Sequence, residues 1–249
     1  MPAPPETKPH RPLELLSIVI PARDEEGCIA STIEHLHLEL KLHAIPHEIV
    51  VVDDGSTDGT VAVLNLAKLM NVRVVKSNIN IGKGSALRLG TTHASGRYLA
   101  FHDADLDLHP EALVGFFKIM ESAKVDGVVG SKVHPESSVH YPISRRIMSR
   151  GFRLLIRGFF DLRISDTQTG VKIFKREKIS PVVNSVETNG FGFDLELLVR
   201  MHQLGMKVLE GPITLDYQFK SSVGISTIGT MFNDLFRLRK IVRRGMQSK

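Results

Sequence analysis

An apolar run turns abruptly into a loop of carboxylates and glycines at Val50-Val51-Val52-Asp53-Asp54-Gly55-Ser56-Thr57-Asp58-Gly59-Thr60. A similar change follows about fifty positions later, at Tyr98-Leu99-Ala100-Phe101-His102-Asp103-Ala104-Asp105-Leu106-Asp107. The β-branched and aromatic residues of each run favour a strand, so the carboxylates follow strand ends. Open α/β sheets bind ligands at the carboxyl ends of parallel strands. The two segments therefore predict a ligand site at one edge of a sheet.

The second segment has the spacing of a metal site. Asp103 and Asp105 are one residue apart, and both can hold a hard cation through oxygen. The same oxygen ligands suit Mg²⁺ and Mn²⁺, so both ions are candidates. Asp107 is a third ligand or a contact to a sugar, and a solvated loop of three aspartates is the alternative. The buried-type strand Leu99–Phe101 before the loop favours the metal site.

Strands and helices alternate over the first half of the sequence. The predicted strands are Leu15–Ile20, Glu48–Val52, Val72–Val75, Tyr98–Phe101 and Val125–Gly130. The predicted helices are Glu25–Leu42, a segment from Thr57 to Met70, Gly82–Ala94 and a segment that starts at His109-Pro110-Glu111. This β-α-β-α order predicts an α/β fold with a mostly parallel sheet flanked by helices.

The pattern changes after Ser131. The second half is predicted to contain a loop at His134–Tyr141, helices at Ile143–Phe160, Phe193–Gln203 and Ile228–Arg244, and strands at Val171–Phe174 and Lys207–Leu209. The first and last of these helices are basic and amphipathic. We therefore divide the chain into a flexible Pro-rich tail (1–12), an α/β domain (13–226) and a basic C-terminal helix (227–249) that can dock on a membrane.

Composition limits the functional classes. The 249 residues are 42% hydrophobic, enough for a sizeable core, and carry a formal charge of +5. Cys28 is the single cysteine, so no intrachain disulfide forms, which suits a reducing compartment. No apolar stretch approaches the ~20 residues of a membrane span, and the Pro-rich start lacks the apolar core of a signal peptide. Stacking aromatics do not interleave the basic residues, so nucleic acid is not an expected partner.

Four short motifs occur together and in order. They are Ile20-Pro21-Ala22-Arg23-Asp24-Glu25-Glu26, Asp53–Thr60, Asn80-Ile81-Gly82-Lys83-Gly84 and Asp103-Ala104-Asp105. In this combination the sequence resembles family 2 glycosyltransferases, which have the GT-A fold. Two later segments, Ser165–Lys172 and Phe191–Leu198, resemble the branch that makes dolichyl- or polyprenyl-phosphate sugars. The resemblance implies a metal-dependent, inverting transfer of a hexose from a nucleotide sugar.

The resemblance also implies the residues of the site. Those expected to bind the nucleotide sugar are Pro21, Ala22, Arg23, Glu25, Val52, Asp53, Asp54, Gly55, Lys83, Asp103 and Ala104. Those expected in catalysis are Asp105, Asp107, Asp166 and Gln168. Elementary chemistry agrees at three positions. Asp53 can accept hydrogen bonds from a base or a ribose. Gly55 would let the backbone approach the nucleotide. Lys83 at a helix start can neutralise an anion or hold the sugar.

The acceptor that the resemblance implies is a dolichyl or polyprenyl phosphate. A phosphate monoester has a second pKa near ~6, so it is already a nucleophile at neutral pH. Such an acceptor needs cations rather than a general base. The candidate cations are Lys132, Arg145 or Arg146, and Lys220. Relatives more often carry arginine at the position of Lys132, and lysine lacks the bidentate fork that arginine offers a phosphate.

Several alternatives stay open at this point. The donor is GDP-mannose or UDP-glucose, because Asp166-Thr167-Gln168 favours the glucose branch whereas the lack of a C-terminal span favours short mannose synthases. With a soluble hydroxyl acceptor, Asp194 or Asp166 would be the general base. A non-catalytic relative that binds a membrane or a partner protein is a third hypothesis.

The basic helix at Ile228–Arg244 decides where the chain is expected to reside. Its apolar residues recur at helical spacing, and its lysine and arginine residues lie mainly elsewhere. That pattern suits an anionic lipid surface, so we expect a cytoplasmic protein that lies peripherally on the cytoplasmic face of a membrane. Packing on its own core, a dimer surface and a separate membrane subunit are the alternatives.

Overall fold

The computed structural model describes residues 14–67, 69–140, 156, 158–160, 162, 164–190, 192–216 and 239. The candidate phosphate ligands Arg145, Arg146 and Lys220 lie outside these residues, as do the tail 1–12 and most of the two basic helices. The roles given to them stay predictions. Within the described ranges, no helix combines the length and the apolarity needed to cross a bilayer.

Two sheets are present in the described part of the chain. The strands are β1 (Leu16–Ala22), β2 (His47–Asp54), β3 (Val72–Ser77), β4 (Tyr98–Phe101), β5 (Gly127–Gly130), β6 (Ser138–His140), β7 (Lys172–Lys175), β8 (Val208–Gly211) and β9 (Thr214–Asp216). Seven of them form one sheet in the order β3-β2-β1-β4-β7-β5-β8, and β6 pairs with β9. Only β7 runs antiparallel to its neighbours in the large sheet. The mostly parallel sheet predicted from the sequence is thus confirmed.

Helices cover both faces of the large sheet. They are α1 (Ile29–Leu42), α2 (Thr60–Ala67), α3 (Lys83–His93), α4 (Glu111–Ser122), α5 (Arg176–Ser185) and α6 (Gly192–Gln203). Side chains alternate along β1, where Ile18 and Ile20 join the core beneath α1, α2 and α4. Val19 between them joins the core beneath α3, α5 and α6. This period of two, with every residue of β1 except Pro21 buried, is typical of a strand covered on both faces.

Four elements depart clearly from the prediction, and one of them is β9, which had no predicted counterpart. The helix expected from Glu25 begins at Ile29, because the backbone N–H groups of Glu25 and Glu26 donate to side chains of the 58–60 segment instead of opening the helix. Strand β6 lies inside the segment predicted as a loop, where its pairing with β9 supplies its hydrogen bonds. Helix α5 had no predicted counterpart, and Pro181 lies inside it.

Candidate active site

The carboxylate loop after β4 is held from two sides. The hydroxyl of Thr32 in α1 donates to the carbonyl oxygen of Ala104 at 2.7 Å. The backbone N–H of Asp216 in β9 donates to the carbonyl oxygen of Asp107 at 3.0 Å. Because both contacts use backbone oxygens, they hold the path of the loop and leave the carboxylates to other partners. Ala104 itself is buried, so its expected contact with the donor can involve only backbone atoms.

Asp103 is fixed by a cation on one side and a glycine on the other. Lys83 Nζ lies 2.6 Å from Asp103 Oδ1. Although burial opposes ionisation, this ammonium lowers the pKa of Asp103 below its ordinary value. Asp103 Oδ2 packs against Gly170, where an added Cβ would lie only 1.8 Å from it. The carboxylate of Asp103 is therefore ionised and held in one orientation.

Asp105 has a contrasting environment. Surrounding protein atoms desolvate its carboxylate on one side, and together with the charges of Asp103 and Asp107 they raise its pKa to about 7. The backbone N–H of Asp107 and the carboxylate of Glu25 act on it in opposite senses and to a smaller extent. The protein alone thus disfavours the charged form of Asp105, and a divalent cation would stabilise that form.

The two carboxylates fit a hard divalent cation. Among the described residues, no group of three or more His, Cys, Asp or Glu side chains has the arrangement of a metal site. Asp103 and Asp105 could hold such an ion, with diphosphate or water oxygens at the further positions. Carboxylate oxygens and few protein ligands are typical of Mg²⁺ in phosphate sites, and Mn²⁺ accepts the same donors.

The loops after β1 and β2 are joined by side-chain to backbone hydrogen bonds. The Asp24 carboxylate accepts the Thr57 N–H at 2.7 Å, and the Asp24 N–H donates to the Ser56 hydroxyl at 3.0 Å. The Glu25 N–H donates to the Thr60 hydroxyl at 2.8 Å. These bonds place the Pro21–Glu25 segment beside Asp53, as a single nucleoside pocket requires.

Asp53 and Asp54 differ in what they can bind. Asp53 Oδ1 accepts the Ser56 N–H at 3.2 Å, while Oδ2 has no hydrogen bond to the residues that the structure describes. Both oxygens of Asp54 are used, because they accept the N–H groups of Ile81 and Gly82 at 2.6 and 2.9 Å. The buried carboxylate of Asp53 therefore keeps one oxygen without a donor among the described residues, and Asp54 shapes the turn before Lys83.

Three residues expected in the nucleotide pocket contact their own chain closely. Gly55 has φ of +72°, and an added Cβ would lie 2.7 Å from the Ile79 carbonyl carbon. Gly55 therefore makes room for the 79–80 backbone. Ala22 and Val52 are buried in the core, and their roles toward a nucleotide stay predictions. Of the other residues expected here, Pro21 is half-buried and Arg23 is exposed.

Lys132 is tethered by Asp166. Its Nζ lies 3.1 Å from Asp166 Oδ2 and 3.3 Å from the Thr169 hydroxyl. Asp166 Oδ1 accepts the Gln168 N–H at 3.1 Å. Burial opposes ionisation of Asp166, but Lys132 and these donors lower its pKa below the ordinary value. Asp166 and Gln168 thus shape the loop that holds Lys132, and one ammonium N–H of Lys132 is left for an acceptor.

Asp194 is buried at the start of α6, facing two lysines. Lys172 Nζ lies 2.8 Å from Asp194 Oδ1, and Lys83 Nζ lies 3.9 Å from Oδ2. Although desolvation opposes its charge, the carboxylates of Asp103 and Asp194 raise the pKa of Lys83 above its ordinary value. Sequence reasoning gave no role to Lys172 or Gly170, although both lie within the Ser165–Lys172 motif. Their place in that motif is the signal that could have identified them.

A cavity of about 700 Å³ lies behind the carboxylate loop. It is lined by α1 and by the segment that leads into α4, including Leu36, Leu106 and Pro110. Buried His102 lines it too, and its Nε2 has no hydrogen-bond partner among the described residues. Among the described residues, none of the expected nucleotide-sugar or phosphate ligands lines this cavity, so the loops at the strand ends, rather than the cavity, form the candidate site.

Comparison with known proteins identifies the family of this chain. Residues 17–182 match the model of "Glycosyl transferase family 2". The chain belongs to glycosyltransferase family 2. This stretch carries β1 to β7 and the carboxylate loop, whereas Asp194 lies beyond it. The family and the fold expected from the sequence motifs are both confirmed.

Relatives of this family 2 chain include two eukaryotic proteins named dolichyl-phosphate beta-glucosyltransferase. The Drosophila melanogaster protein is 34% identical over 211 residues, which cover 78% of this chain and 65% of that protein. The Saccharomyces cerevisiae protein is 32% identical over 222 residues, which cover 80% and 66%. Glycosyltransferase AglD of Haloferax volcanii is 30% identical over 217 residues, covering 86% and 34%. The chain thus spans between one third and two thirds of these relatives.

Solved structures support the fold alone. Glucosyl-3-phosphoglycerate synthase from Mycobacterium tuberculosis, in complex with Mn²⁺, uridine diphosphate and phosphoglyceric acid, superposes with a TM-score of 0.70. It is 20% identical, and the match covers 90% of this chain and 77% of that one. Mannosyl-3-phosphoglycerate synthase from Rubrobacter xylanophilus gives a TM-score of 0.71 at 18% identity, with 94% and 75% covered. Both confirm the GT-A architecture of the family 2 chain.

The buried carboxylate of Glu196 supports the site from behind. It accepts the N–H groups of Glu187 and Thr188 at 3.0 and 2.9 Å and pairs with Arg200 at 2.6 Å. The loop that it holds presents the Asn189 carbonyl oxygen to the N–H of Gly84, at 2.8 Å. Glu196 therefore fixes the loop on which the first turn of α3 rests.

Replacement of Glu196 by alanine is expected to lower stability by about 3 kcal/mol, because one buried partner of an ion pair is removed and two N–H groups lose their acceptor. In a chain of this size the loss corresponds to roughly 10 °C in Tm. Thermal unfolding followed by circular dichroism checks the value. Glu34→Ala, at an exposed position of α1, is the control, and equal Tm changes in both variants would contradict this role for Glu196.

Proposed function

We propose that this chain transfers a hexose from a nucleotide sugar to a dolichyl or polyprenyl phosphate. UDP-glucose is the proposed donor, and Mg²⁺ or Mn²⁺ the proposed cofactor. The names of the relatives support the lipid phosphate and the glucose. The other donor that the sequence left open, GDP-mannose, has no such support among these relatives.

The observation that carries the proposal is the placement of the acidic residues. Asp53 lies at the end of β2 and the Asp103–Asp105 pair follows β4, with β1 between the two strands. Asp53 Oδ2 has no hydrogen bond to the described residues, and a metal ion would stabilise the charged form of Asp105. A nucleoside at the first position and a diphosphate at the second is the arrangement that a nucleotide sugar requires at strand ends.

The transfer is a single displacement at the anomeric carbon. An oxygen of the lipid phosphate forms the new C–O bond, and the bond between the anomeric carbon and the donor diphosphate breaks. The bonding electrons leave with the nucleoside diphosphate, and attack from the opposite face inverts the anomeric configuration. A bound divalent cation neutralises charge on the departing diphosphate. Asp103 and Asp105 would hold that cation, and Lys132 would hold the attacking phosphate.

A phosphate acceptor also agrees with the state of the candidate bases. A hydroxyl acceptor would need a carboxylate that takes up a proton. Lys132 and hydrogen-bond donors lower the pKa of Asp166, which makes it a poor proton acceptor, and Asp194 is already bound to Lys172. A phosphate dianion needs no such base, since its second pKa is near ~6.

The membrane association is likewise proposed. The sequence pattern of 228–244 predicts a basic amphipathic helix, which suits anionic lipid. It would place the chain on the cytoplasmic face, where a lipid phosphate can reach Lys132. Vesicle flotation with and without anionic lipid, compared with a chain that ends at residue 226, measures this contribution.

The transfer assay is the test of the proposed function. Purified full-length chain is given radiolabelled UDP-glucose, GDP-mannose or UDP-N-acetylglucosamine, with and without a short polyprenyl phosphate. We expect label from UDP-glucose in the organic phase, dependent on Mg²⁺ or Mn²⁺ and lost with EDTA. Donor hydrolysis without lipid label would move the function to a soluble acceptor, and the absence of both signals would overturn the proposal.

A further inference from the structure

Four charged side chains of alternating sign connect the interior of the domain with the metal site. Lys172 Nζ lies 2.8 Å from Asp194 Oδ1, Asp194 Oδ2 lies 3.9 Å from Lys83 Nζ, and Lys83 Nζ lies 2.6 Å from Asp103 Oδ1. The row carries two positive and two negative charges. It is therefore balanced when no further cation is bound.

Three members of the row are held in place. Lys172 is 1% exposed and also donates to the carbonyl oxygen of Thr169. Asp194 is 4% exposed and bonded to Lys172. Asp103 cannot swing toward Gly170, because Gly170 already packs against its Oδ2.

Lys83 is the member that can move. It is the first residue of α3, and 32% of its side chain is exposed. It makes a short bond to Asp103, while its distance of 3.9 Å to Asp194 is too long for a hydrogen bond. A displacement of roughly 1 Å would bring that distance to the ordinary hydrogen-bond length.

A cation on Asp103 and the ammonium of Lys83 compete for one oxygen. Two positive groups cannot share Asp103 Oδ1 at bonding distance without strong repulsion. We propose that Lys83 is a positioning residue with two stations: it neutralises Asp103 when the metal site is empty, and it moves to Asp194 when a divalent cation binds. The buried Lys172–Asp194 pair is what keeps the second station ready.

This exchange couples metal binding to the donor pocket. At the second station Lys83 no longer blocks the carboxylate, yet it stays on the first turn of α3 beside the carboxylate loop. Asp194 then has a role without touching metal or substrate, namely to receive the displaced ammonium. The proposal rests on the proposed function only in that both involve a metal ion on Asp103.

Binding of Mn²⁺ alone, measured by electron paramagnetic resonance of the free ion, tests the exchange without donor or acceptor. Lys83→Met removes the competing ammonium, and we expect about tenfold tighter Mn²⁺ binding. Lys118→Met removes an exposed lysine of α4 and serves as the control for a change in net charge. We expect its affinity to stay within about twofold.

The second station is tested by removing Lys172 and Asp194 together. The double variant Lys172→Met/Asp194→Asn keeps the net charge and leaves no unpaired buried ion. We expect it to bind Mn²⁺ about tenfold more weakly, because the displaced ammonium has lost its acceptor. In the Lys83→Met background the same pair of changes should alter the affinity by less than about threefold.

Three results would overturn the exchange: no tightening in Lys83→Met, equal weakening by the pair of changes in both backgrounds, or no Mn²⁺ binding by the unaltered protein. If the double variant does not fold, Asp194→Glu, which keeps the charge and moves it closer to Lys83, is expected to tighten Mn²⁺ binding. Unchanged or weaker binding in that variant would contradict the exchange. Failure of lipid-phosphate transfer with these affinities intact would instead reject only the proposed function.

Discussion

Asp105→Asn is expected to lower kcat/KM for transfer about a thousandfold while the protein stays folded. The variant loses a carboxylate that would hold the divalent cation. Neutralisation of the departing diphosphate by that cation contributes several kcal/mol, and each ~1.4 kcal/mol is a factor of ten in rate. The amide also removes a charge that the folded protein disfavours, because burial and the repulsion of Asp103 and Asp107 raise the pKa of Asp105 to about 7. In metal-free buffer above that pH we therefore expect a higher Tm than in the unaltered protein.

The expected result is specific for a functional role of Asp105, because kcat/KM falls while Tm rises. A residue that merely supports the fold would lose both together when replaced. Initial rates with UDP-glucose and polyprenyl phosphate give kcat/KM, and thermal unfolding gives Tm. Glu111→Gln, an exposed carboxylate of α4, should leave both values nearly unchanged. Turnover within a few-fold of normal in Asp105→Asn would remove Asp105 from the reaction.

Gly170→Ala is expected to reduce transfer about a hundredfold, although residue 170 carries no functional group. The added Cβ would lie 1.8 Å from Asp103 Oδ2, so the Asp103 carboxylate must move. A displacement of about 1 Å in a reacting constellation can cost a factor of ~100 in rate. The crowding is also expected to cost about 1 to 3 kcal/mol of stability.

A second glycine serves as a control that separates the crowding of Asp103 from the general effect of a glycine-to-alanine change. Gly115 lies inside α4 with no atom within 4 Å of an added Cβ. Gly115→Ala should therefore gain about 0.5 to 1 kcal/mol from reduced backbone entropy, with unchanged turnover. The kinetic and unfolding measurements used for Asp105 apply to both variants. Normal kcat/KM in Gly170→Ala would show that Asp103 tolerates displacement, and the metal role of that carboxylate would then fail.

Local patterns predicted most of the architecture. Strand β4 has the predicted bounds, Tyr98–Phe101, because an apolar β-type run between turn residues leaves little choice. The region after residue 131 was harder. The β6–β9 pair and the reversed direction of β7 depend on partners far along the chain. No local periodicity carries information about such pairing.

For the candidate site too, local sequence predicted some features and not others. The motifs pointed to Asp53, Asp103, Asp105, Lys83 and Lys132, and the structure places all five at the strand ends or beside them. The structure adds that Asp54 and Gly55 both contact the 79–82 backbone, a contact that the motif did not reveal. Residue type alone does not tell a ligand-facing glycine from one that receives another segment of its own chain.

The sequence by itself determined the family, the alternating α/β order and the acidic loops, because these depend on residue identity and short spacing. Only the tertiary structure decided which carboxylates are free to act. Asp166 and Asp194 are bound to lysines 34 and 22 positions away, whereas Asp105 stays crowded by its own neighbours. The ionisation of a carboxylate depends on the charges and the solvent within a few ångströms, and the chain brings those groups together only when it folds.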